Sequence, residues 1–138
     1  MRYIYLLFPI LILLSCSSAD EQEQTEMINK VMAVHDAVMP EMGKISKFKK
    51  QAQTQSEVLF SDSLKANDEQ AMELENLAIE LDAANESMMV WMRNFSKDFE
   101  GMEHEEIIQY LEEKKAEIDE VKKGMEAVLD KADSRLKN

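Results

Sequence analysis

The residues best suited to bind a ligand are one histidine and two methionines in the first third of the chain. Met32, His35 and Met39 are separated by three and four positions, so they share one face if this segment is a helix. Thioether and imidazole groups together suit soft ions such as Cu(I) and Ag(I). The spacing therefore indicates a soft-metal site as an alternative. Methionine also fills gaps in helical cores, and our main prediction is that these residues hold no metal.

A second cluster surrounds the only tryptophan. Met88 and Met89 precede Trp91 by three and two positions, and Phe95 follows it one helical turn later. Tryptophan is enriched at the energetic centres of protein interfaces, so Trp91, Met88 and Met89 are candidate contacts for a partner protein. A large aromatic side chain can equally fill a helical core. Core packing is the favoured interpretation, and the partner contact is the alternative.

The chain lacks the motifs of common enzyme classes. Its two histidines are His35 and His104, and the residues three positions before them are Met32 and Gly101. The Glu-x-x-His pair of di-iron helical bundles is therefore absent. The sequence contains no His-Glu-x-x-His motif, phosphate-binding glycine loop or nucleophile elbow. We predict that the protein is not an enzyme and has no catalytic residue and no cofactor.

Amphipathic helices are the elements that must position these residues. From Met27 onward, apolar residues recur at alternating spacings of three and four, as they do along the seam of a coiled coil. The pattern fills three segments and predicts helices at residues 26–60, 66–99 and 104–136. Their predicted seams are Ile28, Val31, His35, Val38, Met42 and Ile45; Ala71, Leu74, Ala78, Leu81, Asn85, Met88, Met92, Phe95 and Phe99; and Ile107, Leu111, Lys114, Ile118, Val121, Met125, Val128 and Ala132. Short connections between long helices favour antiparallel neighbours. The predicted fold is therefore all-α, an elongated antiparallel three-helix bundle.

Breaks and polar residues interrupt the three segments. Pro40 removes a backbone donor and predicts a kink or a new helix in the first segment, and Gly101 suits a helix end. His35, Asn85 and Lys114 take the place of apolar residues in the three seams. Buried polar residues of this kind often fix the register of packed helices. These three are candidates for a shared polar layer.

The overall charge excludes some partners. The formal net charge of the 138 residues is -12, with 28 acidic and 16 basic side chains. Such a surface repels the phosphate backbone of nucleic acids and has no affinity for anionic lipids. We therefore predict that the protein binds no nucleic acid and that any membrane contact has another origin.

The first fifteen residues have the organisation of a secretory signal peptide. Arg2 precedes an apolar run at residues 4–14. As a helix this run would be about 16 Å long, whereas the hydrocarbon core of a bilayer is about 30 Å thick. We therefore predict the signal peptide of a lipoprotein at residues 1–15. The alternatives are an ordinary secretory signal followed by an incidental cysteine, and an uncleaved anchor.

The junction after this segment carries a more specific motif. Leu-Leu-Ser-Cys at residues 13–16 resembles the bacterial lipobox. The resemblance implies cleavage before Cys16, a diacylglyceryl group on its sulfur, and an acyl chain such as palmitate on the new amine. Residues 16–25 are polar and acidic, which predicts a disordered tether in front of a bundle at residues 26–138.

The resemblance to lipoproteins also implies a location. A lipidated Cys16 predicts attachment to the outer membrane, with the bundle facing the periplasm. Asp20 and Glu21 follow the cysteine closely, and they resemble the surface-export signals of Bacteroidetes-type lipoproteins. Exposure on the cell surface is therefore an alternative to the periplasm.

The body of the chain resembles a family of short Bacteroidetes-type lipoproteins named viral A-type inclusion proteins. The similarity lies in residues 35–43, 85–95 and 105–111, and the family implies no activity. The Leu-Thr-x-x-Gln signature of one family of small periplasmic chaperones is absent. The first hypothesis is a non-enzymatic, lipid-anchored helical module that binds an unidentified envelope protein. A soft-metal protein and a holdase-like stress chaperone are the alternatives.

Overall fold

The computed structural model describes residues 16–61 and 67–136, and this part of the chain contains four helices and no strand. The prediction of an all-α bundle is confirmed. The helices are α1 (Cys16–Val38), α2 (Glu41–Ser61), α3 (Asp68–Asn94) and α4 (His104–Leu136). The predicted signal peptide at residues 1–15 lies outside the described residues.

The first predicted helix is divided into α1 and α2 at Pro40. The backbone amide of Met39 still donates to the carbonyl of His35 at 2.9 Å, as in a continuing helix. Proline has no N–H group, so the next hydrogen bond of the ladder cannot form. The amide of Met42 instead donates to the carbonyl of Met39 at 3.3 Å. Pro40 indicated either a kink or the start of a new helix, and the structure shows a new helix.

The prediction of a disordered tether at residues 16–25 is wrong for this structure, because α1 begins at Cys16. Residues 21–24 of this stretch are glutamate and glutamine, which favour helix. The first turn of α4 also contacts it. His104 Nε2 lies 3.2 Å from Glu23 Oε2, and His104 Nδ1 lies 3.1 Å from Gln24 Nε2. These contacts hold the start of α1 against α4.

Helix α3 runs antiparallel to α2. The hydroxyl of Ser56, near the end of α2, donates to the carbonyl of Ala71, near the start of α3, at 2.9 Å. Lys49, earlier in α2, forms an ion pair with Asp82, later in α3. The end of α2 therefore lies beside the start of α3, and earlier positions in α2 lie beside later positions in α3.

Helix α4 follows the same direction as α1 and α2. Its first residue contacts Gln24 in α1, and its last residue, Leu136, accepts a hydrogen bond from the side chain of Gln51 in α2 at 3.1 Å. Two ion pairs, Glu80–Lys131 and Glu73–Arg135, show that α3 runs antiparallel to α4. The bundle thus consists of α3 and α4 packed against the α1–α2 segment.

One apolar core runs through the bundle. Its largest fully buried side chains come from all four helices, and most of them occupy the predicted seams: Val31, Ile45, Leu77, Leu81, Met88, Leu111, Ile118 and Met125. No side-chain N or O atom that is buried in the described residues lacks a hydrogen-bond partner. The core therefore has its polar groups satisfied, and packing of apolar side chains is its main source of stability.

We expect His104→Ala to loosen the start of α1 and leave the rest of the bundle unchanged. The His104 side chain is 26% exposed and Glu23 is 60% exposed, so the lost contact contributes at most about 1 kcal/mol to global stability. Hydrogen exchange followed by mass spectrometry should show faster exchange for residues 17–24 only. Gln109→Ala, an exposed change on α4, is the matched control. Equal exchange in both variants would contradict the role of His104.

Candidate functional site

The predicted ligand His35 lies in the last turn of α1, where its side chain is 16% exposed. Its Nδ1 atom is 2.9 Å from Asp36 Oδ1. One face of the imidazole lies against Trp91, with ring centroids 5.7 Å apart and the planes tilted by 31°. His35 therefore already has a hydrogen-bond partner and an aromatic neighbour.

The two methionines of the predicted soft-metal set are both half-buried. Met32 lies in α1, whereas Met39 lies in the turn after Val38, where the helix ends. In residues 16–61 and 67–136 no group of three or more histidine, cysteine, aspartate or glutamate side chains could hold a metal ion. This finding does not include methionine ligands, so a site formed by Met32, His35 and Met39 stays a prediction.

Trp91 and Met88 belong to the core. Trp91 is 3% exposed and Met88 is fully buried, whereas Met89 is 37% exposed. The indole Nε1 of Trp91 donates to the carbonyl of Lys114 in α4 at 3.1 Å. Core packing, the favoured interpretation, is therefore confirmed for Trp91 and Met88. The alternative of a partner contact is wrong for both, because α1 and α4 cover this side of α3. Of the three predicted residues, only Met89 is accessible.

A row of aromatic rings extends from Trp91 towards the connection between α3 and α4. Trp91 stacks on Phe95 with ring centroids 4.9 Å apart, and Phe95 stacks on Tyr110 at 6.4 Å. The hydroxyl of Tyr110 accepts a hydrogen bond from the amide of Ser96 at 2.7 Å and donates to the carbonyl of Asn94 at 3.4 Å. The row fastens the end of α3 to α4, which is a structural role.

The three polar seam residues do not form one layer. His35 and the backbone of Lys114 both contact Trp91. The ammonium group of Lys114 forms an ion pair with Glu117. Asn85 lies elsewhere, lining a shallow groove beside Ile45 and Lys49. The predicted shared layer is therefore wrong, since Asn85 is on the α2 side of α3.

Large apolar side chains are exposed mainly on the half of the bundle formed by α2 and the start of α3. Val58, Phe60, Met72 and Ile79 are 62%, 47%, 57% and 61% exposed. Met89 and Val90, near the other end of α3, are exposed by only 37% and 41%. Single exposed apolar residues are normal, so only those that line a common depression indicate a candidate contact surface.

Two of these residues line a cleft of about 290 Å³ between α2 and α3, which we call the α2–α3 groove. It is lined by Lys49, Gln53, Ser56, Glu57, Phe60, Glu75, Ala78, Ile79 and Asp82. Ser56 and Ala78 are buried and form its floor, while Phe60 and Ile79 rise on opposite walls. Phe60, Ala78 and Ile79 are the apolar residues of this lining, and the other six lining residues are polar or charged.

Ile79 separates the α2–α3 groove from a second cleft of about 530 Å³ on the α4 side. The charged residues of the second cleft neutralise each other, because Glu73 pairs with Arg135 and Glu80 pairs with Lys131. The α2–α3 groove differs in this respect, since two of its carboxylates, Glu57 and Glu75, have no such partner in the part of the chain that the structure describes.

The residues of the α2–α3 groove were not predicted from the sequence. One signal was present in α3, where Ile79 directly follows the seam residue Ala78; the exposed Met72, outside the groove, follows the seam residue Ala71 in the same way. Large apolar residues next to a seam position lie at the edge of the buried stripe. Whether such an edge is covered depends on where the neighbouring helix sits, which the spacing alone does not determine.

No known protein family, curated protein or solved structure gives a significant match to this chain. Within residues 16–61 and 67–136, every helix is too short or too polar to cross a bilayer.

Proposed function

We propose that this protein is a non-enzymatic lipoprotein of the cell envelope that binds another envelope protein through its helical bundle. Lipid on Cys16 would attach it to the outer membrane, with the bundle in the periplasm. The lipobox-like Leu-Leu-Ser-Cys at residues 13–16 supports the anchor. The exposed apolar residues of α2 and α3 support the binding role.

The observation that carries the proposal is the distance between these two features. Cys16 is the first residue of α1, and Ser61 is the last residue of α2. At about 1.5 Å per residue, the two helices together extend over roughly 65 Å. Val58 and Phe60 lie near the far end of this path. A protein anchored at Cys16 would thus present these two exposed apolar residues away from the membrane.

The charge of the bundle fits a covalent anchor. With a net charge of -12, the chain gains nothing from anionic headgroups. Acyl chains contribute about 0.8 kcal/mol for each buried CH₂ group, and two or more chains hold a protein stably in a bilayer. Lipidation would therefore supply the membrane affinity while the acidic surface stays free of the bilayer.

The proposal is tested by cross-linking in cells, extraction from membranes and identification of the captured proteins. We expect one or a few partners in a fixed ratio to the bait. Ile79→Asp should reduce their capture, whereas Val90→Asp, on the less exposed half of α3, should not. Capture of many unrelated unfolded proteins would instead support a holdase. Recovery of no protein above the background of untagged cells would contradict the proposal.

A further inference from the structure

We infer that the α2–α3 groove binds a cationic amphipathic helix of a partner protein. This partner chemistry rests on the proposed role of the protein as an interaction module, and it specifies what the module recognises. Three properties of the groove support it: its two exposed apolar side chains, its length and the two carboxylates that form no ion pair with a described residue.

Two exposed apolar side chains of the groove suit the apolar stripe of a helix. Phe60 and Ile79 stand on opposite walls and are 47% and 61% exposed, above the buried floor at Ala78. Along α2 the groove extends from Lys49 to Phe60, which is about 16 Å or three helical turns. A helix that places apolar residues at spacings of three and four along this length would bury both walls.

The rims of the groove select the charge of the partner. Glu57 on α2 and Glu75 on α3 are exposed and form no ion pair with any described residue. Lys49, the only basic side chain among the described residues of the lining, is paired with Asp82. The net contribution of the rims is therefore negative, and lysine or arginine flanking an apolar stripe would complement it.

The same charges disfavour a second copy of the chain as the occupant. A two-fold contact across the groove would bring Glu57 and Glu75 against the equivalent carboxylates of the copy. Each whole chain also carries a charge of -12, so the long-range interaction between copies is repulsive. A basic partner meets neither obstacle.

The inference can be tested with a synthetic helix. The protein would be the chain from residue 16 onward with Cys16→Ser, which contains all four helices and their core. The probe is a peptide of leucine and lysine, about fourteen residues long to cover the three turns of the groove, with its leucines on one face. A peptide of the same composition with its leucines spread around the helix, and one with glutamate in place of lysine, are the peptide controls.

We expect the amphipathic lysine peptide to bind and both control peptides to bind much more weakly. Ile79→Ser should weaken binding by about tenfold or more, and Glu57→Gln with Glu75→Gln by about fivefold at low salt. Val90→Ser and the pair Glu112→Gln with Glu113→Gln, both outside the groove, should change it by less than about twofold. Calorimetric titration measures all of these changes.

Equal weakening by groove and control variants would mean non-specific attraction and would overturn the inference, as would tight binding of the glutamate peptide. A dimer in sedimentation experiments that Ile79→Ser dissociates would assign the groove to a second copy. Failure of the peptide to bind, with capture of partners in cells still dependent on Ile79, would reject the cationic helix and leave the interaction role standing. If the peptide does not bind and the capture of partners in cells does not depend on Ile79, the interaction role is rejected as well.

Discussion

Replacing Trp91 with alanine is expected to lower the free energy of unfolding by about 3–5 kcal/mol. The side chain is 3% exposed and stacks between His35 and Phe95. Its removal leaves a cavity where α1, α3 and α4 meet, and it also removes the hydrogen bond to the carbonyl of Lys114. A loss of this size is a large part of the stability of a small domain. Urea unfolding followed by circular dichroism measures it.

Two further variants separate packing from surface effects. Met89→Ala, two positions away and 37% exposed, should change the free energy of unfolding by less than about 0.5 kcal/mol. Trp91→Phe keeps part of the ring stacking but loses the indole donor. Its decrease in the free energy of unfolding should therefore lie between those of Trp91→Ala and Met89→Ala. If Trp91→Ala were as stable as Met89→Ala, Trp91 would not be a core residue of the folded protein.

Cys16→Ala is expected to move the protein from the membrane fraction to the soluble periplasmic fraction and to abolish incorporation of labelled palmitate. Without the sulfur no diacylglyceryl group can be attached, and no described helix is able to span a bilayer in its place. At about 0.8 kcal/mol for each buried CH₂ group, losing two or more acyl chains removes nearly all membrane affinity. Fractionation and metabolic labelling of the same cells measure both effects.

Ser18→Ala is the matched control for this change, because it alters an exposed residue just after the cysteine and should retain both label and membrane attachment. Loss of label with continued membrane attachment in Cys16→Ala would support an uncleaved anchor at residues 1–15. Retention of both label and attachment would show that Cys16 is not the site of lipidation.

Most of the core was predictable because helix packing imposes a regular spacing. Leu81, Leu111 and Ile118 all lie on the seams read from the sequence, and all three are fully buried. The start of α1 was not predictable in this way. Its residues are held by polar contacts between Gln24 and His104, eighty positions apart in the chain. Long-range polar contacts of this kind leave no periodic signal.

The candidate site was less predictable than the core. Trp91 lies one position away from the predicted seam, yet it is buried because both α1 and α4 contact this side of α3. Ile79 lies one position from a seam residue as well, but it is 61% exposed. The two residues lie on opposite flanks of the seam, because Trp91 precedes the seam residue Met92 whereas Ile79 follows the seam residue Ala78. Their difference in burial comes from the placement of the neighbouring helices along α3.

Site-specific photo-cross-linking in intact cells tests the central claim most directly. A photoreactive amino acid would replace Ile79 in the otherwise unchanged protein, and the control would carry it at Ala116, which is exposed on α4. The account predicts one prominent adduct of defined mass from position 79 and none from position 116, and predicts that Cys16→Ala weakens the adduct by removing the protein from the membrane. The same adducts from both positions, or none from position 79, would contradict an anchored module that binds its partner through the α2–α3 groove.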